Sequence, residues 1–285
     1  MTLLGAAEVR RLAAAGDIRP SKARGQNFVV DGNTIRRIVR LAELPRGGSV
    51  LEVGPGLGSL TLGLLEAGHD VVAVEVDSRL AEMLPGTVAR FDPDRAEQLR
   101  VITADAMTLD SAGGNPIALV ANLPYNVAVP VLLHCLAQFP SIERCLVMVQ
   151  LEVADRLAAS PGSKAYGVPS VKSAWYGQVE RVGTVPPAVF WPVPRVESGL
   201  IRIDSTPPPA TRAPRVAVFR LVDVLFSQRR KMVRATLGGA FGREPAAEAL
   251  GEADVDPTAR PEDLELKDFC RLAESISDAT GSSLE

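Results

Sequence analysis

The sequence predicts an α/β fold: a mostly parallel sheet with helices on both faces, followed by a small all-helical domain. Three observations carry this expectation. Apolar runs of strand length alternate with helical patterns from Ser49 to about residue 160, and parallel strands need crossovers that cover both faces of the sheet. The alternation stops after residue 170, where two strand-like stretches follow without a helix between them. A proline-rich break, 205-STPPPATRAP-214, then precedes a region that is helical by period to about residue 277. With 285 residues and 46% hydrophobic content, the chain can bury one large and one small core. The boundary is placed at 205/206, giving domains 1–205 and 206–285, with 1–23 as an N-terminal extension.

The start, MTLLGAAEVRRLAAAGDIRP, carries charges inside its apolar pattern and reads as an amphipathic helix, not a signal peptide. In 31-DGNTIRRIVRLA-42, Ile35, Ile38, Val39 and Leu41 have helical spacing, and Asp31 is a plausible cap. Five strand–helix steps follow. SVLEV (49–53) leads to GPGLGSLTLGLLEAG, DVVAVEV (70–76) to DSRLAEML, and RVIT (100–103) to ADAMTLD. IALVAN (117–122) precedes a helical VAVPVLLHCLAQF, and RCLVMVQ (144–150) precedes LEVADRLAAS. SVKSAWYGQVERVGTV and ESGLIRI read as an antiparallel end to the sheet. Ahead of them and after LEVADRLAAS, 161-PGSKAYGVPSV-171 reads as a flexible, substrate-side loop with Lys164 and Tyr166 between glycines.

Composition narrows the function classes. No run of about 18 apolar residues indicates a membrane span. Cys135, Cys145 and Cys270 lack metal-ligand or disulfide spacing, so reduced thiols and a cytoplasmic location are expected. His69 and His134 are the only histidines, which argues against a histidine-based metal centre or a Ser/His/Asp triad; no metal is expected. The net charge of −3 hides an asymmetry. Residues 244–285 hold twelve Asp/Glu and three Lys/Arg, or −9, so residues 1–243 carry +6 (−3 less −9). Within 215-RVAVFRLVDVLFSQRRKMVRATL-237 six basic residues face Asp223 alone. A basic element of this kind suits a polyanion, although a solvated helix face would look the same.

LEVGPGLGSL (51–60) places Gly54, Gly56 and Gly58 at a strand-to-helix turn, where glycine permits positive φ and a close ligand approach. Tight βα turns use glycine without any ligand as well. Glu75 ends the second strand, where a carboxylate can accept both hydroxyls of a ribose, and Asp105 follows the third, within reach of an adenine amine. Both acids can instead cap the helices that follow, as can Asp77. Pro55 removes an N–H that a pyrophosphate would use, which tilts the ligand towards a nucleoside such as S-adenosylmethionine.

In 120-VANLPYN-126, Asn122 ends the fourth strand on the edge that carries Gly54, Glu75 and Asp105. Pro124 holds Leu123 extended, so the Asn122 side-chain oxygen and the Leu123 carbonyl form two acceptors for an exocyclic amine. Binding both protons localises the nitrogen lone pair towards an incoming methyl, and Tyr125 is placed to stack on the base. Rate then comes mainly from alignment. The alternative is a capped turn with a buried tyrosine.

N-L-P-Y looks like the amino-methyltransferase motif of adenine-N6 enzymes. Together with 24-RGQNFVVD-31, LEVGPGLGSLT, AVEVD and 227-SQRRKMVRATL-237, the chain resembles the KsgA-type ribosomal RNA adenine dimethyltransferases from about Arg24 to the end of the helical region. The resemblance implies a Rossmann-like class I methyltransferase domain, with a mostly parallel seven-stranded sheet ending antiparallel, plus a helical RNA-binding domain. It implies S-adenosylmethionine as cofactor, the small ribosomal subunit and its 16S rRNA as partner, and a monomer. Two methyls would go to each of two adjacent adenines near the 3′ end of that RNA. By the same resemblance Gln26, Asn27 and Val29 contact the cofactor from the N-terminal segment, Val29 standing where leucine is usual. Gly54, with Gly56, lies under the methionine part, Glu75 on the ribose, Asp105 and Ala106 at the adenine, and Asn122 beside the methyl. Asn122, Leu123, Pro124 and Tyr125 form the catalytic motif. In 188-AVFWPVPRVES-198 Phe190 would sandwich the flipped adenine against Tyr125, with Trp191 a competing candidate and a core aromatic the alternative. Arg229, Arg230, Lys231 and Arg234 would spread over about a turn and a half of helix and meet phosphates, or pair with the acidic tail.

Three other functions compete. An Erm-type enzyme would modify one adenine of large-subunit RNA, but N-L-P-Y-N and the helical tail with S-Q-R-R-K stand closer to the KsgA pattern. A non-catalytic assembly factor on the same fold is disfavoured by the intact motif and cofactor acids. A nicotinamide oxidoreductase is disfavoured by Pro55 and N-L-P-Y.

Overall fold

In the computed structural model, which describes residues 3–20, 25–124 and 126–280, the apolar runs become parallel strands because each connection returns the chain to the same end of the sheet. The chain runs α1 (Ala6–Ala15), β1 (Phe28–Val29), α2 (Gly32–Ala42), β2 (Ser49–Val53), α3 (Ser59–Glu66), β3 (Asp70–Glu75), α4 (Ser78–Phe91) and β4 (Leu99–Thr103). It continues through β5 (Ala118–Asn122), α5 (Ala128–Gln138), β6 (Arg144–Gln150), α6 (Leu151–Leu157), α7 (Val168–Ala174), β7 (Gly177–Val185), β8 (Phe190–Trp191) and β9 (Ser198–Ser205). The last helices are α8 (Arg215–Phe226), α9 (Val233–Phe241), α10 (Arg243–Glu252) and α11 (Leu266–Thr280). Asp31 caps α2 as expected, accepting the Thr34 amide at 2.7 Å.

The seven-stranded sheet has the order β4-β3-β2-β5-β6-β9-β7. From β2 the chain steps outward to β3 and β4, then returns to β5 on the other side of β2. This reversal opens a crevice at the carboxyl ends of β2 and β5, where ligands of such sheets bind. β9 runs antiparallel to β6 from Arg144↔Asp204 to Gln150↔Ser198, giving the expected antiparallel end. Val50, Leu51, Val120, Leu146 and Val147 are wholly buried in the middle of the sheet.

Two compact units make up the chain: residues 1–154 with 178–205, and residues 155–177 with 206–285. The second unit thus includes a segment that lies before the linear boundary at 205. Its core is built from Leu221, Leu225, Val233, Leu237, Phe269, Leu272 and Ile276, with Phe269 stacked on Phe226 at 6.0 Å. All three cysteines are free and buried, and burial alone pushes the Cys135 thiol up to about 12.

Three local expectations are corrected. Val168–Ala174 is a helix, not a strand: Gly167 and Pro169 form its first turn, the Ser170 hydroxyl accepts the Gly167 amide at 3.0 Å, and Val171 enters the core of the second unit. The segment 161–171 is anchored, because the buried Tyr166 donates its hydroxyl to the Leu264 carbonyl at 2.8 Å and the Gly162 amide donates to the Glu262 carbonyl at 2.7 Å. The basic stretch is no continuous helix either. α8 stops at Phe226, the chain turns through Ser227–Met232, and α9 restarts at Val233, whose amide donates to Ala259 at 2.9 Å. Burying Val233 and Leu237 overrides a local propensity that would have allowed the helix to continue.

Phe269→Ala is expected to cost the second unit about 3–5 kcal/mol, measured as a lower urea midpoint. Val216→Ala, at a side chain 53% exposed, is expected to stay within about 0.5 kcal/mol of the parent.

Candidate active site

Strand register decides which side chains meet. β2 pairs with β5 as Val53↔Ala121 and with β3 as Val53↔Val74. The next residue of each strand, Gly54, Asn122 and Glu75, therefore reaches the same edge. Gly54 and Gly56 have φ of +71° and +58°, a region in which a side chain is strained. A Cβ on Gly56 would also lie 2.8 Å from the Phe28 ring. The Gly54 amide donates to Val74 at 2.9 Å, so the loop turns without leaving the sheet.

Glu75 holds this loop in place. One carboxylate oxygen accepts the Gly56 amide at 3.1 Å and the other accepts the Asp77 amide at 3.0 Å. Burial raises its pKa, and these amides act in the opposite direction. A carboxylate offers about four lone-pair sites, so acceptor capacity remains beyond these amides. Asp105 caps a short turn by accepting the Met107 amide at 2.9 Å, and it also lines the cavity together with Ala106. Capping and ligand contact are thus compatible at both acids.

These groups border a cavity of about 740 Å³, within the usual range for small-molecule sites. Gln26, Asn27 and Val29 line it as well. Three apolar side chains that the sequence placed in ordinary runs, Val76, Met107 and Val127, line it while being 67%, 37% and 36% exposed. They form walls suited to a flat ring. Glu52 was also missed. It is 1% exposed, accepts the Thr61 hydroxyl at 2.7 Å and lines the cavity. Burial, with the negative Glu75 adding to it, pushes its carboxyl up to about 8. An acid inside the apolar strand SVLEV was the available signal, since a buried carboxylate needs a reason to be there.

At the end of β5, Asn122 donates its Nδ2 to the Asn27 carbonyl at 3.0 Å, which leaves Oδ1 as an acceptor. The Leu123 amide donates to Met148 at 3.1 Å, extending the strand by one residue. Pro124 lines the cavity; Tyr125 lies outside the described residues. The N-terminal segment is fastened on two further sides. The buried Ser59 hydroxyl donates to the Val29 carbonyl at 2.7 Å, and β1 pairs antiparallel with β8 as Phe28↔Trp191 and Val29↔Phe190.

That pairing bears on Phe190. Successive residues of a strand point to opposite faces, and Phe190 takes the inner one: it is 2% exposed, packed in the core of the first unit and not on the cavity wall. Trp191 is half-buried and stacks on Phe28 with ring centres 6.3 Å apart. In the second unit, Arg229 is held by Glu262 at 2.6 Å and donates to the Ser163 carbonyl, while Arg230, Lys231 and Arg234 are exposed. Among the described residues no group of three or more His, Cys, Asp or Glu is arranged to hold a metal, and no helix is long and apolar enough to cross a membrane.

Glu52 generates a pH expectation. Its folded pKa of about 8 exceeds the ordinary 4.5, so between those values the folded state keeps a proton that the unfolded chain releases. Its contribution to stability is complete below about pH 4.5, falls as pH rises and levels off above about 8. Thermal unfolding of the cofactor-free protein is expected to show this loss, and Glu52→Gln to flatten it.

Residues 19–278 match the family model for ribosomal RNA adenine dimethylase. The chain is 56% identical to ribosomal RNA small subunit methyltransferase A of Cutibacterium acnes, over 97% of this chain and 95% of that protein. It is 58% identical to the protein of the same name from Streptomyces coelicolor, over 95% and 96%. Among solved structures, the 23S rRNA methyltransferase ErmE has a TM-score of 0.66 at 28% identity, covering 88% of this chain and 99% of that one. A dimethyladenosine transferase from Plasmodium falciparum has a TM-score of 0.76 at 20% identity, covering 88% and 98%, a likeness of fold. Sheet order, glycine loop, paired acids and N-L-P-Y agree with these matches, and the chain belongs to the ribosomal RNA adenine dimethylase family, as an S-adenosylmethionine-dependent rRNA adenine-N6 dimethyltransferase.

Proposed function

We propose that the substrate is small-subunit (16S) rRNA, in which two adjacent adenosines near the 3′ end each receive two methyls during ribosome assembly. The observation that carries this proposal is the geometry of Asn122, whose Nδ2 is occupied by the Asn27 carbonyl so that Oδ1 serves the cavity. Choice of subunit rests on relatives 56–58% identical that are named small subunit methyltransferase A, against 28% for ErmE. The enzyme works as a monomer in the cytoplasm, and no metal takes part.

When bound, S-adenosylmethionine supplies an electrophilic methyl. Glu75 would take the ribose hydroxyls, Asp105 would take the adenine amine, and Val76, Met107 and Val127 would flank the ring. The backbone around Gly54 and Gly56 leaves room for the methionine part, while Gln26, Asn27 and Val29 close the other side. On the substrate side, Asn122 Oδ1 and the Leu123 carbonyl accept hydrogen bonds from the N6 amine of the target, two for the first methyl and one for the second. This would turn the nitrogen lone pair towards the methyl: the nitrogen–carbon bond forms as the sulfur–carbon bond breaks, the neutral thioether S-adenosylhomocysteine leaves, and one proton passes from the cationic nitrogen to water. Alignment provides most of the rate. Tyr125 stacks on the flipped base. The opposite ring comes from β8, either Phe190 after a local shift of that strand or Trp191 as it stands. In the second unit Arg230, Lys231 and Arg234 meet phosphates, whereas Arg229 keeps its internal ion pair.

Tritiated S-adenosylmethionine, offered with under-methylated small subunits, large subunits or naked RNA, is expected to label small-subunit RNA. Label confined to the large subunit would contradict the proposal. Comparing Phe190→Leu with Trp191→Leu decides the second ring: the variant whose ring stacks loses transfer while its cofactor affinity holds.

A further inference from the structure

The β1–β8 ribbon positions more than the two aromatic rings. β1 lines the cofactor cavity through Phe28 and Val29, and its register with β8 sets the start of the next segment, 192-PVPRVE-197, beside that cavity. The segment's far end is fixed too, because the Glu197 carbonyl accepts the Leu151 amide at 3.0 Å and Ser198 pairs with Gln150. A six-residue loop tied at both ends and carrying two prolines has little freedom to lose on binding.

What this loop shows to solvent is unusual for a structural connection. Val193 is 65% and Val196 45% exposed. Among the described residues seven large hydrophobic side chains are 36% exposed or more; three line the cofactor cavity and two are on this loop. Between those valines stands Arg195, exposed and without an ion-pair or hydrogen-bond partner among the described residues. The loop's one acid, Glu197, sits at the end that is anchored to the sheet. An unpaired guanidinium flanked by apolar side chains suits a nucleic-acid strand, with a phosphate for the cation and an unstacked base or sugar for the valines.

We propose that loop 192–197 docks the RNA strand immediately flanking the target adenosine, with Arg195 on a phosphate and Val193 against the base exposed when the adenosine swings out. This rests on the rRNA substrate proposed above and adds a contact outside the helical unit. A flipped base leaves its neighbours unstacked, and an apolar side chain at that gap disfavours its return.

The test uses the full chain as wild type, Arg195→Lys, Arg195→Glu and Val193→Ser, with methyl transfer measured on under-methylated small subunits and on naked small-subunit RNA at several salt concentrations. Arg195→Glu is expected to raise KM for both RNAs roughly tenfold and to lower the slope of log KM against log salt by about 1. Its kcat and S-adenosylmethionine affinity stay within about twofold, and Arg195→Lys keeps the salt slope, as one phosphate contact requires. Val193→Ser is expected to lower kcat several-fold at saturating RNA. Unchanged KM and slope in Arg195→Glu would overturn the proposal. So would an effect seen with intact subunits and not with naked RNA, which would assign the loop to a ribosomal protein. A wild type inactive on every RNA would instead refute the parent substrate; equal binding of labelled RNA by wild type and Arg195→Glu would then still exclude the loop contact.

Discussion

Parallel pairing of β2 with β3 and β5, in the registers Val53↔Val74 and Val53↔Ala121, sets the height at which three candidate site residues leave the sheet. Because side chains alternate along a strand, slipping either pair by one residue would exchange the two buried faces of the moved strand and break its packing on both sides. The core therefore enforces the same register that the chemistry needs. Gly54, Glu75 and Asn122 are brought together by burial of residues deeper in the sheet, among them Val50, Leu51 and Val120. This is how a large apolar sheet yields a small polar site of defined geometry.

The polar groups of the site hold one another before any ligand arrives. Glu75 fastens the glycine loop through the Gly56 amide, Ser59 fastens β1 through Val29, and Asn27 fixes the orientation of the Asn122 amide. The Asn122 bond spends the donor end of the amide and leaves its acceptor end unoccupied among the described residues. Asn122 is the clearest case, since an amide without a partner for Nδ2 would be free to present either end. Preorganisation of this kind reduces what must be ordered during catalysis.

Much of this was legible in the sequence. β-branched runs bounded by glycine and acid marked the parallel strands, and N-L-P-Y with the glycine loop marked the cavity. The parts that were not legible depended on tertiary pairing. β1 and β8 contribute two residues each, too few for any period, so the inward turn of Phe190 follows from its pairing with Val29. The break at Ser227–Met232 contains no glycine or proline, and it accompanies the burial of Val233 and Leu237 in the core of the second unit. Val76, Met107 and Val127 stand in ordinary strand and helix runs, and nothing in those runs separates the wall of a cavity from a core. Glu52 was visible as an acid in an apolar strand, and its role needed Thr61 beside it.

The central claim is that Asn122 acts on the target amine and not on the cofactor. Its most direct test is mass spectrometry of nucleosides from small-subunit RNA treated with wild type or Asn122→Ala, alongside calorimetric titration of each protein with S-adenosylmethionine. The expected result is N6,N6-dimethyladenosine from the wild type, transfer lowered by roughly two orders of magnitude in the variant, and cofactor affinity largely retained. Dimethyladenosine formed at the wild-type rate by Asn122→Ala would contradict it.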